Sequence, residues 1–303
     1  AGNNILLGVN AGSSLNTTGQ SVMIGTNAGQ GNTAGNALLV GYGAGINNND
    51  PQAMAIGYSA GSNVSGSFNS FIGYNSGGLP KLNTTGSFNL AIGPYTAFNL
   101  TSGTRNVIIG TGNSIESAGR QITTGSDNTI VGYKAGKAIQ TGSDNTLIGS
   151  NAGANLTNGL NNLILGYQSA FNLNTGSYNV VLGSQSGYNM NIGDYNIYTG
   201  YQAGYNNISG SNNINMGYKS GYTSQVNSNN IHIGTFTGYL STADDNIFIG
   251  NNTGTQNTTG TNNIFLGVNA GYGANAYGTS GQQIGDNNRS EEHTSELQSR
   301  ETI

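Results

Sequence analysis

Residues 141–153 read T-G-S-D-N-T-L-I-G-S-N-A-G, and residues 259–271 read T-G-T-N-N-I-F-L-G-V-N-A-G. Similar text recurs along most of the chain, and each copy centres on a glycine that follows an apolar residue or a close substitute. Nine of the 15 spacings between consecutive motif glycines are 17 residues, and four are 16. A period this strict indicates one structural unit stacked many times. The motif glycines are Gly8, Gly25, Gly41, Gly57, Gly73, Gly93, Gly110, Gly132, Gly149, Gly166, Gly183, Gly200, Gly217, Gly234, Gly250 and Gly267.

Each repeat carries the pattern of one short β-strand. The third residue before the motif glycine and the residue directly before it are usually apolar, as in Leu163 and Leu165, and residues two apart share a strand face. Frequent β-branched residues, with Gly and Asn between them, favour a strand over a helix. We therefore predict an all-β fold, a parallel β-solenoid of about sixteen 17-residue coils about 4.8 Å apart. Gly132, Gly149 and Gly166 represent its structural repeat.

An asparagine stands four residues before many of the motif glycines, as Asn128, Asn145 and Asn162 do. In stacked coils these side chains form one column. An amide both donates and accepts hydrogen bonds, so each asparagine can bond the next one. The sequence predicts an asparagine ladder along the solenoid.

The residue two before the motif glycine points to the opposite face from its two neighbours, and it is often apolar as well. A strand that is apolar on both faces is expected to be buried on both. We predict that one face is the thin core of the coil and that the other is the interface of a homotrimer. A wider monomeric solenoid that buries both faces is the alternative. The predicted interface residues are Leu6, Leu39, Phe71, Leu147, Phe248 and Phe265.

Composition excludes several classes of function. The 303 residues include 51 Gly, no Cys, 3 Pro, 8 Lys+Arg and 12 Asp+Glu, for a net charge of −4. Without a basic cluster the chain lacks the features of a nucleic-acid partner, and without a run of 18 apolar residues it offers no membrane insertion. The absence of Cys excludes disulfides and thiolate metal sites. We expect no cofactor and no metal.

The last fifteen residues, 289–303, differ from the rest. They read R-S-E-E-H-T-S-E-L-Q-S-R-E-T-I, with no Gly and no Asn, and residues 289–299 resemble a translated sequencing adapter. Such a segment carries no information about the fold. We predict a β-solenoid repeat domain over residues 1–288, incomplete at both ends, followed by a non-native tail over residues 289–303.

The strand text N-L-A-I-G at residues 89–93 and M-A-I-G-Y-S-A-G at residues 54–61 resembles the N-S-V-A-I-G-x-x-S-x-A-x-G repeat of trimeric autotransporter adhesin heads. It is also similar to the N-T-x-I-G-Y-x-A-G repeats of bacteriophage and giant-virus tail-fibre proteins. The resemblance implies a left-handed parallel β-roll, trimeric assembly and attachment to a cell surface. It covers residues 3 to about 288, and the chain departs from the adhesin pattern in having Gly directly after Ala and a 17-residue period.

Catalysis finds little support in the sequence. Asp127 and Asp144 occupy equivalent positions in neighbouring coils, so they are expected about 5 Å apart, a separation at which two carboxylates can cleave a glycoside. Solvated side chains in a column otherwise filled by Asn are the simpler interpretation. His232 has no second His beside it and is interpreted as structural. We predict that the chain is not an enzyme and keep a carbohydrate-active β-helix enzyme as a minor alternative.

Binding is the favoured class of function. Tyr recurs directly after the motif glycine, and a second aromatic column follows five residues after it. Stacked aromatic rings with polar tips can pack against sugar rings, although a purely stabilising ladder is the alternative. Two longer spacings add charged residues to surface loops that could set specificity. The candidate receptor-binding residues are Lys81, Glu116, Arg120, Tyr188, Tyr205, Tyr222 and Tyr239.

We therefore predict a non-enzymatic, fibrous head or shaft segment of an extracellular adhesin or a virion tail fibre. Its partners would be two further copies of the chain and a cell-surface glycan or protein receptor. The alternative is an ice-binding β-solenoid, because Thr or Ser stands eight residues before many motif glycines, as in Thr124 and Thr141. Ordered threonines can match an ice lattice, but this column adjoins a turn glycine and is interrupted.

Overall fold

The computed structural model describes residues 2–16, 19–78, 83–272 and 282–284, with only the backbone of the last three. The chain forms two compact units, Ala1–Asn162 and Leu163–Ile303. Every described element is a three-residue strand, and no helix occurs in these ranges. The strands of the first unit are β1 (Ile5–Leu7), β2 (Val22–Ile24), β3 (Leu38–Val40), β4 (Met54–Ile56), β5 (Ser70–Ile72), β6 (Leu90–Ile92), β7 (Val107–Ile109), β8 (Thr129–Val131) and β9 (Thr146–Ile148). Those of the second are β10 (Leu163–Leu165), β11 (Val180–Leu182), β12 (Ile197–Thr199), β13 (Ile214–Met216), β14 (Ile231–Ile233), β15 (Ile247–Ile249), β16 (Ile264–Leu266) and β17 (Gln282–Ile284).

Within each unit every strand pairs in parallel with the next strand along the chain. Equivalent residues of neighbouring repeats lie side by side: Ile130 pairs with Leu147 in the first unit, and Val181 pairs with Tyr198 in the second. Parallel strands in register are about 4.8 Å apart, so each 17-residue repeat makes one coil. The predicted all-β parallel solenoid is confirmed in both units, whereas residues 289–303 lie outside the described residues.

The motif glycine is fixed by both backbone conformation and coil spacing. Gly132 has a φ of 135°, and Gly149 and Gly166 each have a φ of 134°, values that residues with a side chain rarely adopt. A Cβ atom on Gly132 would lie 2.5 Å from the carbonyl oxygen of Gly149 in the next coil. Any side chain at this position would therefore push two coils apart.

The predicted asparagine ladder is confirmed. The Oδ1 atom of Asn128 accepts hydrogen bonds from the backbone N–H and the Nδ2 of Asn145, both at 3.1 Å. The Nδ2 of Asn128 also donates to the carbonyl oxygen of Gly142 at 2.9 Å. The Oδ1 of Asn145 accepts from Asn162 in the same way, with both distances at 3.0 Å. Because these side chains are buried, they satisfy backbone groups that water does not reach.

In the first unit the asparagine ladder begins at a buried carboxylate, that of Asp50. Ala53 occupies the ladder position of its coil, and Asp50 supplies the missing acceptor. One Asp50 oxygen accepts from the backbone N–H of Asn69 at 2.8 Å and from its Nδ2 at 3.1 Å. The other accepts from the backbone N–H groups of Gln52 at 3.0 Å and Phe68 at 2.9 Å. Four donors therefore stabilise a charge that is buried away from water.

In β2–β16 the middle residue of the strand is buried inside the coil. Leu39, Phe71, Leu147, Phe248 and Phe265 are each at most 1% exposed. The prediction that these residues form an oligomer interface is wrong, because they are buried within their own chain.

Leu6 belongs to the same column, so its prediction as an interface residue is wrong as well. Its side chain points inward, toward Gly12, and it is 45% exposed in the first described coil. The residues on either side of the strand centre face outward instead. Ile109, Ile148 and Ile249 are 36%, 40% and 36% exposed.

Two further columns complete the core of each coil. A small residue lies three positions after the motif glycine, and a second core residue lies seven positions after it. In three described coils whose strand supplies a ring, the seventh position is a smaller polar residue. Asn207 accompanies Tyr198 in this way, and Asn257 accompanies Phe248. The volume of the coil interior is thus shared between two columns, which keeps neighbouring coils at one spacing.

His232 is a core residue of this kind. Its Nδ1 lies 2.9 Å from the Oδ1 of Asn215, and its ring stacks on Phe248 with the ring centroids 5.1 Å apart. Burial lowers the pKa of His232 to about 3, so the imidazole is neutral at physiological pH. The interpretation of His232 as a structural residue agrees with this position, although the column faces the core and not another chain.

Replacing a ladder asparagine is expected to be strongly destabilising. Asn128→Ala leaves the backbone N–H of Asn145 and the carbonyl oxygen of Gly142 without their partner, at about 1–3 kcal/mol for each buried group. We expect the free energy of unfolding in urea to fall by about 3–5 kcal/mol. Asn158→Ala, at an exposed position, is the control and should cost less than about 1 kcal/mol. Equal losses in the two variants would contradict the ladder's structural role.

The buried imidazole predicts a pH dependence of stability. The unfolded His232 binds a proton below about pH 6.5, whereas the folded one does so only near pH 3. Its contribution is therefore complete above pH 6.5 and declines by about 1.4 kcal/mol per pH unit below it. His232→Phe, which continues the stack with Phe248, removes this term. Urea unfolding near pH 7 and near pH 4.5 should show a smaller decline in the variant, and equal declines would contradict the assignment.

Candidate functional site

Five aromatic residues of the second unit form a continuous stack on its surface, which we call the aromatic ladder. It consists of Phe171, Tyr188, Tyr205, Tyr222 and Tyr239, each five residues after a motif glycine. Consecutive ring centroids are 5.0–5.2 Å apart, and the ring planes are 6–14° from parallel. The coil spacing sets this distance, since each ring belongs to a different coil. The structure thus brings together the four tyrosines that the sequence predicts as candidate receptor-binding residues.

Amide side chains line a groove beside the aromatic ladder. Asn172, Asn189 and Asn206 each follow a ladder residue directly. Asn172 donates to Asn189 with its Nδ2 3.0 Å from Oδ1, and Asn189 donates to Asn206 at 2.7 Å. The groove has a volume of about 490 Å³, and its lining is mostly polar. The lining residues are Asn172, Asn189, Asn191, Asn206, Ile208 and Gln225.

The amide groove was not predicted, although the sequence contains a signal for it. The signal is the dipeptide of an aromatic residue and Asn that recurs at residues 171–172, 188–189 and 205–206. In a solenoid, two adjacent positions that repeat together become two adjacent columns. The repeated dipeptide therefore predicts an aromatic column next to an amide column.

Several other surface tyrosines form shorter stacks. Tyr42, Tyr58 and Tyr74 stack in the first unit at 5.2 and 4.9 Å, directly after their motif glycines. Tyr178 and Tyr195, five residues before a motif glycine, stack at 5.0 Å in the second unit. Stacking alone therefore does not distinguish the aromatic ladder. Its distinguishing features are its five-ring length and its amide groove.

Lysine adds one positive charge at the aromatic ladder. The Nζ of Lys219 lies 5.4 Å from the ring centroid of Tyr222 and 5.5 Å from that of Tyr218. Burial and the neighbouring tyrosines raise the pKa of Tyr205 above its usual value. Since an unperturbed tyrosine ionises near pH 10, the Tyr205 hydroxyl is neutral at physiological pH and both donates and accepts hydrogen bonds.

The charged candidates of the first unit are engaged within the chain. Glu116 forms ion pairs with Lys134 and Lys137, and these hydrogen bonds hold the pKa of Glu116 below its usual range. Arg120 lies over the ring of Phe98, 5.0 Å from its centroid. The third candidate, Lys81, lies outside the described residues. Glu116 and Arg120 thus belong to a charged cluster of the first unit whose groups are already partnered.

Asp127 is poorly suited to donate a proton to a glycoside. Its two carboxylate oxygens accept hydrogen bonds from the Nε and a terminal nitrogen of Arg105, at 2.6 and 2.7 Å. These bonds lower the pKa of Asp127, whereas a general acid needs a raised pKa to hold its proton near neutral pH. The lowered pKa therefore argues against Asp127 as the general acid of a glycosidase pair.

Within the described ranges, no group of three or more His, Cys, Asp or Glu residues is placed to hold a metal ion. The same ranges contain no helix that is long and apolar enough to cross a membrane. Comparison with protein-family models and with curated proteins finds no match for this chain. The aromatic ladder with its amide groove is thus the strongest candidate site in the described residues.

Proposed function

We propose that this chain is a segment of a non-enzymatic attachment fibre that binds glycans on a cell surface through the aromatic ladder and its amide groove. The observation that supports this proposal is the stack of five aromatic rings with amide side chains beside it. A sugar ring presents apolar C–H groups on its faces and hydroxyl groups around its edge. Aromatic rings can pack against the faces, while amides donate to and accept from the hydroxyls.

The repetition of the site favours a polymeric ligand. Each coil of the aromatic ladder offers an aromatic ring at steps of 5.0–5.2 Å, and three of the five coils add an amide directly after the ring, at Asn172, Asn189 and Asn206. A glycan chain that contacts one coil is held near the next, so weak contacts add up as in multivalent binding. The groove residues carry no formal charge, which favours a neutral glycan.

A homotrimer is the assembly we propose for the fibre, through a surface other than the predicted one. In each unit the two outward residues of the strands, over β1–β9 and β10–β16, form two columns, many of them Ile or Leu and partly exposed. Contiguous exposed apolar surface marks interaction sites. Another copy of this chain has the same coil spacing, so its apolar rows can meet these rows in register. The fibre would lie outside the cell, on a bacterial surface or on a virion.

Ice binding finds less support at the predicted threonine column. The Oγ1 of Thr242 donates to the carbonyl oxygen of Thr258 at 2.7 Å, and the Oγ1 of Thr141 donates to the Oδ1 of Asn158 at 2.9 Å. Hydroxyl groups that donate to the next coil are oriented by the chain rather than by surface water. Thermal hysteresis of the full chain, with no binding on a glycan array, would reverse the ranking of the two functions.

Removing ladder rings should abolish glycan binding while the fold persists. We expect the double variant Tyr205→Ala, Tyr222→Ala to lose binding on an array of neutral polysaccharides, because two central rings are gone. Tyr178→Ala is the matched control, since it removes an exposed, stacked tyrosine that lies outside the aromatic ladder. The control should bind as the parent chain does. Undiminished binding by the double variant, or an equal loss in the control, would contradict the proposed site.

Substitutions of outward-facing strand residues test the proposed trimer. We expect sedimentation of the full chain to give about three times its mass of 31.0 kDa. The double variant Ile109→Asp, Ile148→Asp places charges on the exposed apolar columns and should sediment as a folded monomer. Leu147→Asp, at the buried strand centre, should instead unfold its coil. A monomeric parent chain would exclude the trimer without affecting the glycan site.

A further inference from the structure

The aromatic ladder has a gap one coil beyond Tyr239. Thr255 occupies the ladder position of that coil, and Tyr272 occupies it in the coil after. Two coil steps of about 4.8 Å separate Tyr239 from Tyr272, so about 10 Å lies between their positions. Neighbouring ladder rings are 5.0–5.2 Å apart. The gap therefore has the length that one additional ring would fill.

The gap is a cavity of about 190 Å³ with walls of differing chemistry. Tyr239, Tyr272 and Phe236 supply aromatic surface. Phe236 contacts Tyr239 edge to face, with the ring centroids 5.6 Å apart and the planes at 76°, which holds Tyr239 in place. Asn252 and Gln256 add amides to the lining.

Thr255 forms the floor of the gap. Its side chain lines the cavity and is only 7% exposed, whereas its Oγ1 is shielded from solvent. A hydroxyl that water does not reach cannot bond a ligand in the cavity, so Thr255 contributes its small size. Asn252 and Gln256 supply the hydrogen-bonding groups of the lining.

We propose that this cavity, bounded by Tyr239, Thr255 and Tyr272, binds a single neutral pyranose ring in the place of the absent aromatic side chain. The two tyrosines pack against its two faces, and Asn252 and Gln256 hydrogen-bond its hydroxyls. No lining residue is charged, which selects against an acidic sugar. The inference rests on the proposed glycan attachment, and it names a discrete site where one sugar unit is enclosed on both faces.

The decisive variant is Thr255→Tyr, because it fills the cavity with the ring that continues the ladder. Binding of neutral methyl pyranosides to the full chain is followed by saturation-transfer NMR and titration calorimetry. We expect the parent chain to bind at least one of them and Thr255→Tyr to bind it more than tenfold more weakly. Its melting temperature should equal or exceed that of the parent chain, since the new ring stacks on both neighbours.

Two further variants separate binding from folding. Gln256→Ala removes an exposed lining amide, and it should weaken binding about three- to tenfold, the usual effect of one hydrogen bond. Tyr272→Ala removes a wall that is 61% exposed, so it should weaken binding about tenfold without unfolding the chain. Tyr178→Ala, at an exposed stacked tyrosine outside both the aromatic ladder and the cavity, is the control that should leave methyl pyranoside binding unchanged.

The outcomes distinguish this site from the proposed function. Parent-level binding by Thr255→Tyr would overturn the cavity site, as would equal competition by p-nitrophenol, which carries an aromatic ring but no sugar. Polysaccharide binding by a parent chain that ignores every methyl pyranoside would also overturn the cavity site, while supporting the aromatic ladder. The parent chain could instead bind a methyl pyranoside but no polysaccharide. If Thr255→Tyr abolishes that binding, the result would support the cavity site and overturn the proposed attachment.

Discussion

The constraint on which the structure depends is the fixed spacing of its coils. Parallel strands hold equivalent residues about 4.8 Å apart, and every other column must accept that distance. Asparagine does so inside the coil because its amide reaches the next amide and still donates to a backbone carbonyl, as Asn128 does with Asn106 and Gly142. Glycine does so at the turn because the next carbonyl oxygen leaves no space for a Cβ atom. Aromatic rings do so outside, since the same distance suits parallel stacking.

Much of the fold could be predicted from the sequence because the period is visible in the residues themselves. The strands, the motif glycines and the asparagine ladder all follow from it. The assignment of the two strand faces failed, since a three-residue strand that is apolar throughout gives no contrast between them. The alternation of side chains between the two faces of a strand could have resolved this assignment. Asn145 and Leu147 are two residues apart and share a face. A ladder of amides that satisfies backbone groups must be buried, so Leu147 had to be buried with it.

The candidate site was only partly predictable for a different reason. The column of Tyr188, Tyr205 and Tyr222 is visible in the spacing, but its meaning depends on the neighbouring column. The adjacent Asn residues become a groove only when coils are stacked, and the gap at Thr255 becomes a cavity only because Tyr272 follows it. Glu116 illustrates the opposite error, since a charged residue in an insertion looked available and is held by two lysines.

The same substitution has different consequences inside and outside the coil. In the core, a large ring such as Tyr198 is matched by the small Asn207 seven positions after the motif glycine, so the interior stays filled. On the surface no second column compensates when Thr255 takes the place of a ring. The neighbouring coils cannot close the space, because the strands fix their separation. A solenoid therefore turns a single departure from its repeat into a cavity with walls at a set distance, and that distance selects a flat, ring-sized ligand.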